Sequence, residues 1–167
     1  MVTGSMASSM YGVPRATNDV DIIIAPTREQ METFIQLMQR LQFYIAREEV
    51  TAALANRTMF SVMDFPNGWK ADLIVQKNRE FSITEFGRRE THEVEGLRLT
   101  IATPEDVLLG KLEWAKMSES ERQIDDAAGI LRMQKNTLDL PYIESWLAAL
   151  GLEAQWTAAL LRSADQE

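Results

Sequence analysis

One segment, residues 19–25, restricts the fold of this chain more than any other. It reads Asp-Val-Asp-Ile-Ile-Ile-Ala, and its β-branched, apolar body after an acidic start is typical of a buried central strand. Pro26 and Thr27 end that strand, and Thr27 can cap the helix predicted over residues 28–41, where apolar residues recur at helical spacing. The chain therefore begins as a mixed α/β structure.

A β-hairpin is the next predicted feature. Residues 59–65 and 69–76 are strand-like, and the turn sequence Pro66-Asn67-Gly68 joins them. The other predictions for this half are a short strand over 1–4, a short helix over 5–11, a short strand followed by a helix or loop over 42–58, and shorter strands or loops over 82–90 and 92–99.

The pattern becomes helical after residue 100. Thr103 is a good N-cap, Pro104 suits the first helical position, and acidic residues follow in the first turn. The fold class predicted is α/β (α+β), with a small mixed sheet flanked by helices in residues 1–100 and a helical region packed on it in residues 101–167. The helices expected there are roughly 104–117, 120–135, 139–150 and 152–164.

Composition limits the kinds of metal site that the chain can build. It has no cysteine and a single histidine, His92, which excludes disulfides, thiolate zinc sites, thiol catalysis and histidine-rich clusters. A metal site must therefore be made of carboxylates, which favour hard ions such as Mg²⁺ or Mn²⁺.

Charge and hydropathy limit the partners. The formal net charge of −8 argues against sequence-independent binding to long DNA or RNA, where affinity comes from a basic surface. No apolar run approaches the ~20 residues needed to span a membrane, and the first residues lack the pattern of a secretory signal. We expect a cytoplasmic protein that does not enter the membrane. An opening strand directly followed by Gly4-Ser5 indicates either a chain that begins on its first strand or a missing upstream helix.

Asp19 and Asp21 are the first candidate site residues. They lie two apart at the start of a strand, so both side chains leave the same face. Two adjacent carboxylates repel each other unless a cation lies between them. Mg²⁺ in such a position usually also binds phosphate oxygens. The pair therefore predicts a magnesium site that can hold a nucleotide.

Gly4 and Ser5 supply a second part of the same chemistry. They connect a predicted strand to a predicted helix, where backbone N–H groups and the positive helix end can receive a phosphate. Glycine permits close approach, and Ser5 adds a hydroxyl donor. A phosphate cradle close in sequence to a carboxylate pair predicts phosphoryl or nucleotidyl transfer.

The run GSMASSMYGVPRATNDVDI resembles the signature of the DNA polymerase β-type nucleotidyltransferase superfamily. Its sequence pattern YG-x-x-R-x-T-x-D-V-D is most similar to that of small bacterial nucleotidyltransferase-like proteins related to the AbiEii toxin group. The resemblance is strongest over residues 2–25 and implies a nucleotidyltransferase fold. It also implies catalysis that depends on Mg²⁺ or Mn²⁺ and uses an NTP such as ATP.

Three further candidate site residues follow from this resemblance or from their position near the signature. Asp72 is implied as the third metal ligand and as the base or orienter for the attacking hydroxyl, with Asp64 as runner-up. Lys111 has a counterpart that contacts triphosphate in related proteins, the alternative being a surface lysine. Arg15 can neutralise phosphate charge or brace its loop.

Some residues have two open interpretations. Asp125 and Asp126 are adjacent on a predicted helix, so they diverge and form a charged helix face, although one of them could face the cleft. Trp69 could stack on a base, but core packing is the preferred interpretation. Trp114, like the remaining tryptophans, is interpreted as a core or helix-packing residue.

The function predicted is transfer of a nucleoside monophosphate from an NTP to an unknown hydroxyl acceptor on a protein, RNA or small molecule. The catalytic and metal-binding residues would be Asp19, Asp21 and Asp72, and the nucleotide-binding residues Gly4, Ser5, Arg15 and Lys111. Two alternatives stay open. The protein could be one half of a toxin–antitoxin pair acting on a partner protein or a tRNA end, or a degenerate nucleotide-binding module.

Overall fold

The structure, a computed structural model, describes residues 1–94 and 96–164. Within these residues seven strands form a single mixed sheet in the order β3-β4-β5-β2-β1-β7-β6. The strands are β1 (Val2–Thr3), β2 (Asp19–Ile24), β3 (Tyr44–Ile45), β4 (Met59–Asp64), β5 (Trp69–Val75), β6 (Glu90–Val94) and β7 (Leu97–Ile101).

Helices cover both faces of this sheet. In the described part of the chain they are α1 (Gly4–Tyr11), α2 (Arg28–Arg40), α3 (Arg47–Asn56), α4 (Glu80–Arg88), α5 (Pro104–Ser118), α6 (Glu121–Met133), α7 (Leu140–Leu150) and α8 (Glu153–Ala164). The predicted fold class, a mixed sheet with flanking helices and a C-terminal helical region, is confirmed. The boundary at residue 100 stays a prediction.

The strand predicted from residues 19–25 lies at the centre of the sheet. β2 pairs in parallel with β5 on one side and antiparallel with β1 on the other. Both of its edges are paired, and its apolar residues are partly buried, an environment in which β-branched residues are favoured.

Two apolar cores lie on opposite sides of the sheet. One joins α2 and α3 to β4 and β5 through residues such as Ile35, Val50 and Phe60. The other joins α1 to the C-terminal helices through residues such as Ala7 and Leu109. Burial of these side chains, at about 25 cal/mol for each Å² of apolar surface, stabilises both layers.

One element was predicted wrongly. Residues 82–90 were expected to form a strand or loop, but α4 occupies most of this segment. Phe81, Ser82 and Glu85 form its buried face. Two of these three residues are polar, so the helical spacing of apolar residues that would reveal the helix is missing. Residues 92–99 are divided between β6 and β7, which pair antiparallel.

No helix among the described residues is both long enough and apolar enough to cross a membrane.

Candidate functional site

Asp21 and Asp72 are neighbours on two parallel strands. β2 and β5 pair with Asp21 opposite Asp72 and with Asp19 opposite Lys70. Because side chains alternate between the faces of a strand, these four leave the same face of the sheet. The structure thus brings together the three carboxylates singled out from the sequence, and their role as metal ligands stays a prediction.

Lys70 lies among these carboxylates. Its Nζ donates to Oδ2 of Asp72 at 2.8 Å and lies 4.0 Å from Oδ1 of Asp19. The hydrogen bond to Asp72 raises the pKa of Lys70, and the charges of Asp72, Asp19 and Asp21 raise it further against a desolvation cost. The ammonium group therefore compensates part of the repulsion between the acids.

Asp72 is buried, and each of its two carboxylate oxygens accepts a hydrogen bond. It is 6% exposed, and besides Lys70 it accepts a hydrogen bond from Oγ of Ser61 at 2.6 Å. Sequence reasoning missed both partners. The available signal was strand alternation, since Lys70 precedes Asp72 by two residues and must share its face. Ser61 could be found only from the hairpin register, in which it faces Asp72.

Asp21 lies against the start of α1. Burial raises the pKa of Asp21, the backbone N–H of Ser5 opposes this rise, the charge of Asp72 adds to it, and Lys111 and Lys70 lower it. Gly4 has φ +63°, and a Cβ there would lie 1.9 Å from Oδ2 of Asp21. The Gly4-Ser5 turn predicted to receive a phosphate is therefore in direct contact with the carboxylate predicted to bind metal.

A second charged cluster lies beside Ser5. Arg15 donates to both carboxylate oxygens of Asp126, from Nε at 3.1 Å and from Nη2 at 3.2 Å, and its Nη2 also reaches Oγ of Ser5. Nζ of Lys111 donates to Asp126 at 2.7 Å and to Oγ of Ser5 at 3.3 Å. Two cations around one carboxylate leave this cluster formally positive.

The second cluster answers two of the open questions. Asp126 lies against Arg15 and Lys111, where burial tends to raise its pKa but hydrogen bonds from these two residues lower it overall. Asp125 instead pairs with Arg162. Lys111 is 4% exposed, and burial is the main reason that its pKa is lowered. It is therefore not a surface lysine.

One residue of each cluster, Asp21 and Lys111, lines a common cavity. It has a volume of about 320 Å³ and is lined at one end by Thr3, Gly4, Asp21 and Lys111. The rest of its wall comes from the ends of β2 and β5, from the start of β4 with the two residues before it, from α4 with the segment that precedes it, and from α5. A small molecule in this cavity would lie against Asp21 and within reach of the positive cluster.

Asp64, the runner-up ligand, and Trp69, the possible stacking residue, lie elsewhere. Asp64 and Trp69 line a depression on the opposite face of the sheet, with Val20 and Leu73. Oδ2 of Asp64 accepts a hydrogen bond from the Asn67 amide at 2.8 Å. Trp69 is 45% exposed, so the core-packing interpretation was wrong, and its ring is on the wrong face to reach a ligand beside Asp21.

The chemistry of the donors suits a hard cation, but the carboxylates are not arranged around one. Asp19, Asp21 and Asp72 offer only oxygen ligands, as Mg²⁺ prefers. Yet no group of three or more His, Asp or Glu side chains within residues 1–94 and 96–164 is placed to hold a metal ion. In the same cluster, the Lys70 ammonium donates a hydrogen bond to Asp72.

No protein-family model matches the chain, and no curated protein sequence matches it. Among solved structures, the chain is similar to an antigenic nucleotidyltransferase-like protein from Paracoccidioides brasiliensis. The two share 16% sequence identity, with a TM-score of 0.44, and the match covers 96% of this chain and 83% of that one.

Proposed function

We propose that this protein is a magnesium-dependent nucleotidyltransferase that moves a nucleoside monophosphate from an NTP to a hydroxyl acceptor. One observation carries the proposal. Asp21 and Asp72 lie side by side on β2 and β5, on the face where Gly4 brings the start of α1 against Asp21. Carboxylates for a cation and a helix N-terminus for a phosphate are therefore adjacent.

Charge balance supports the same proposal. Asp19, Asp21 and Asp72 with Lys70 amount to three negative charges and one positive, and this excess of negative charge is of the size that a divalent cation neutralises. Mg²⁺ bound by these three carboxylates would polarise the phosphate oxygens and stabilise the charge that develops on them. Lys70 has to release Asp72 when the cation binds.

Residues of the chain itself would bind the phosphates and accept the proton of the acceptor hydroxyl. Ser5, with Arg15 and Lys111 beside it, would bind the β,γ-phosphates, where positive charge stabilises the leaving pyrophosphate. Asp72 would accept the proton of the acceptor hydroxyl as its oxygen bonds to the α-phosphorus. The bond from the α-phosphorus to the bridging oxygen then breaks, and that oxygen leaves with its electron pair on pyrophosphate.

Calorimetric titration with Mn²⁺ and then with an NTP tests this proposal. We expect Asp21→Asn and Asp72→Asn each to weaken Mn²⁺ binding at least about ten-fold, as loss of a charged ligand does. Asp64→Asn is the matched control, because it makes the same change on the opposite face of the same hairpin. Unchanged Mn²⁺ binding in both site variants would defeat the proposal.

A nucleotide-binding module without turnover is the second candidate. The observation that favours it is the Lys70–Asp72 ion pair, which leaves the carboxylates without a preformed ion site. Incubation of the protein and lysate with an NTP labelled at the α-phosphate separates the two functions. A labelled protein or RNA band indicates transfer, whereas NTP binding with no label indicates the module.

Removing Lys70 is expected to strengthen metal binding. Lys70→Gln eliminates the cation that competes for Asp72, so Mn²⁺ should bind roughly five- to ten-fold more tightly, given the energy of a partly exposed charged hydrogen bond. Arg98→Gln also removes one positive charge, at an exposed position outside the cavity lining, and controls for net charge. Equal or weaker Mn²⁺ binding in Lys70→Gln would show that Lys70 does not compete with the ion.

A further inference from the structure

The cavity beside Asp21 has a second end that the proposed chemistry leaves unused. Its volume, about 320 Å³, lies within the range of small-molecule sites. Beyond Gly4 and Asp21 it continues between the ends of β2 and β5 and helices α4 and α5. The wall of this far end combines apolar residues such as Ile74 and Val107 with the Arg79–Glu113 ion pair and one buried acid.

An exposed aromatic residue lines this end of the cavity. Trp114 lines the cavity and is 49% exposed, and two methionines that also line it, Met59 and Met117, are 44% and 71% exposed. Trp114 was interpreted from the sequence as a packing residue, and its exposure contradicts that. It lies three residues after Lys111 on α5, so both side chains are on one side of the helix.

The buried acid is Glu85 of α4. It is 8% exposed and lines the cavity, and its carboxyl group makes no hydrogen bond with any other residue that the structure describes. Burial, followed by the charge of Asp106, raises its pKa to about 8, with Glu113 adding to the rise while Arg79 and Lys77 oppose it. Near neutral pH the protonated group offers one hydrogen-bond donor and one acceptor.

We infer that this end of the cavity binds the nucleobase of the NTP, with Trp114 stacking on the ring and Glu85 hydrogen-bonding to its edge. A flat aromatic ring with polar edges matches an exposed indole next to a buried, unpartnered carboxyl group. The Lys111 side of α5 would then face the phosphates. This inference rests on the proposed function for the position of the phosphates.

Comparing NTPs with inorganic tripolyphosphate, which has no base, tests the inference. In calorimetric titrations with Mg²⁺, we expect Trp114→Ala to weaken binding of at least one NTP about ten-fold, the size of a base–aromatic stacking contribution. Binding of tripolyphosphate should be unchanged. Trp69→Ala is the matched control, since that tryptophan is equally exposed on the opposite face of the sheet, and it should change neither.

A pair of Glu85 variants tests the edge contact. Glu85→Gln keeps a donor and an acceptor and should bind the NTP within about two-fold of the original chain. Glu85→Leu removes both and should bind it several-fold more weakly, again with tripolyphosphate unchanged. Equal behaviour of the two variants would overturn the role of Glu85.

Other results would overturn the nucleobase site as a whole. These are NTP binding that Trp114→Ala leaves unchanged, or an equal loss of NTP and tripolyphosphate. Asp21→Asn separates this failure from failure of the proposed function. Suppose that Asp21→Asn leaves tripolyphosphate binding intact while Trp114→Ala still weakens binding of the NTP alone. The nucleobase site would then be supported and the proposed metal site would be contradicted.

Discussion

Glu85→Gln is expected to stabilise the protein strongly at pH 9 and to leave its stability at pH 4 nearly unchanged. Burial raises the pKa of Glu85 from 4.5 to about 8 in the folded state. At pH values between 4.5 and 8, Glu85 is ionised in the unfolded chain but keeps its proton in the folded chain. The stabilising effect of this proton is complete below pH 4.5 and is lost as the pH rises through 8.

The size of the effect follows from the two pKa values. At about 1.4 kcal/mol for each pH unit, the interval between them corresponds to about 5 kcal/mol when Glu85 is fully ionised. Because water in the cavity can hydrate part of the ionised group, we expect Glu85→Gln to recover about 3 kcal/mol at pH 9. Urea unfolding curves at pH 4, 7 and 9 measure this difference.

The control for this prediction is on the same helix. Glu80 lies in the first turn of α4 and is exposed, so Glu80→Gln should change the free energy of unfolding by no more than about 0.5 kcal/mol at any of these pH values. Asp106, whose pKa burial also raises, is present in all three proteins, and its charge is part of the reason that the pKa of Glu85 is raised. A pH-independent effect of Glu85→Gln would contradict a buried, protonated Glu85.

Gly4→Ala is expected to destabilise the protein by about 3 kcal/mol. The left-handed φ of +63° is strained for alanine, and the added Cβ would lie 1.9 Å from Oδ2 and 2.5 Å from Cγ of Asp21. Backbone strain of about 1 kcal/mol and overpacking of about 1–3 kcal/mol act together. The carboxylate must move away from α1, so Mn²⁺ binding should weaken as well.

Gly68→Ala separates the two causes. Gly68 has a φ of +70° but open space around the position of a Cβ, so its substitution measures backbone strain alone, about 1 kcal/mol. The difference between the two variants reports the contact with Asp21. Combining Gly4→Ala with Asp21→Ala removes the two closest atoms, and we expect the double variant to be less destabilised than the sum of the single changes. Equal losses in Gly4→Ala and Gly68→Ala would show that Asp21 does not restrict position 4.

Local patterns were sufficient for most of the fold. The apolar run after Asp19, the Pro66-Asn67-Gly68 turn and the Thr103-Pro104 helix start each encode their structure in adjacent residues. Helix α4 could not be found in this way. Its buried face carries Ser82 and Glu85, so periodicity of apolar residues was absent although the backbone is helical.

The candidate site, like the fold, was predictable only where it depends on neighbouring residues in the sequence. Strand alternation alone indicated that Asp19 and Asp21 share a face, since that follows from a period of two residues. The partners of these acids depend on contacts between distant segments. Lys70 reaches Asp19 only through the pairing of β5 with β2, and Asp126 meets Arg15 at a separation of 111 residues.

The tryptophans show most directly what only the tertiary structure decides. Trp69 and Trp114 are similarly exposed, at 45% and 49%, and nothing in their neighbouring residues says which one borders the cleft. The answer depends on which face of the sheet each segment packs against. The sequence by itself determined the central strand, its two acids and the glycine-containing turn before it, because these are local patterns. The tertiary structure decided that Lys70 lies beside Asp19 and that Glu85 and Trp114 line the cavity, because such contacts exist only once the strands are paired and the helices are packed on the sheet.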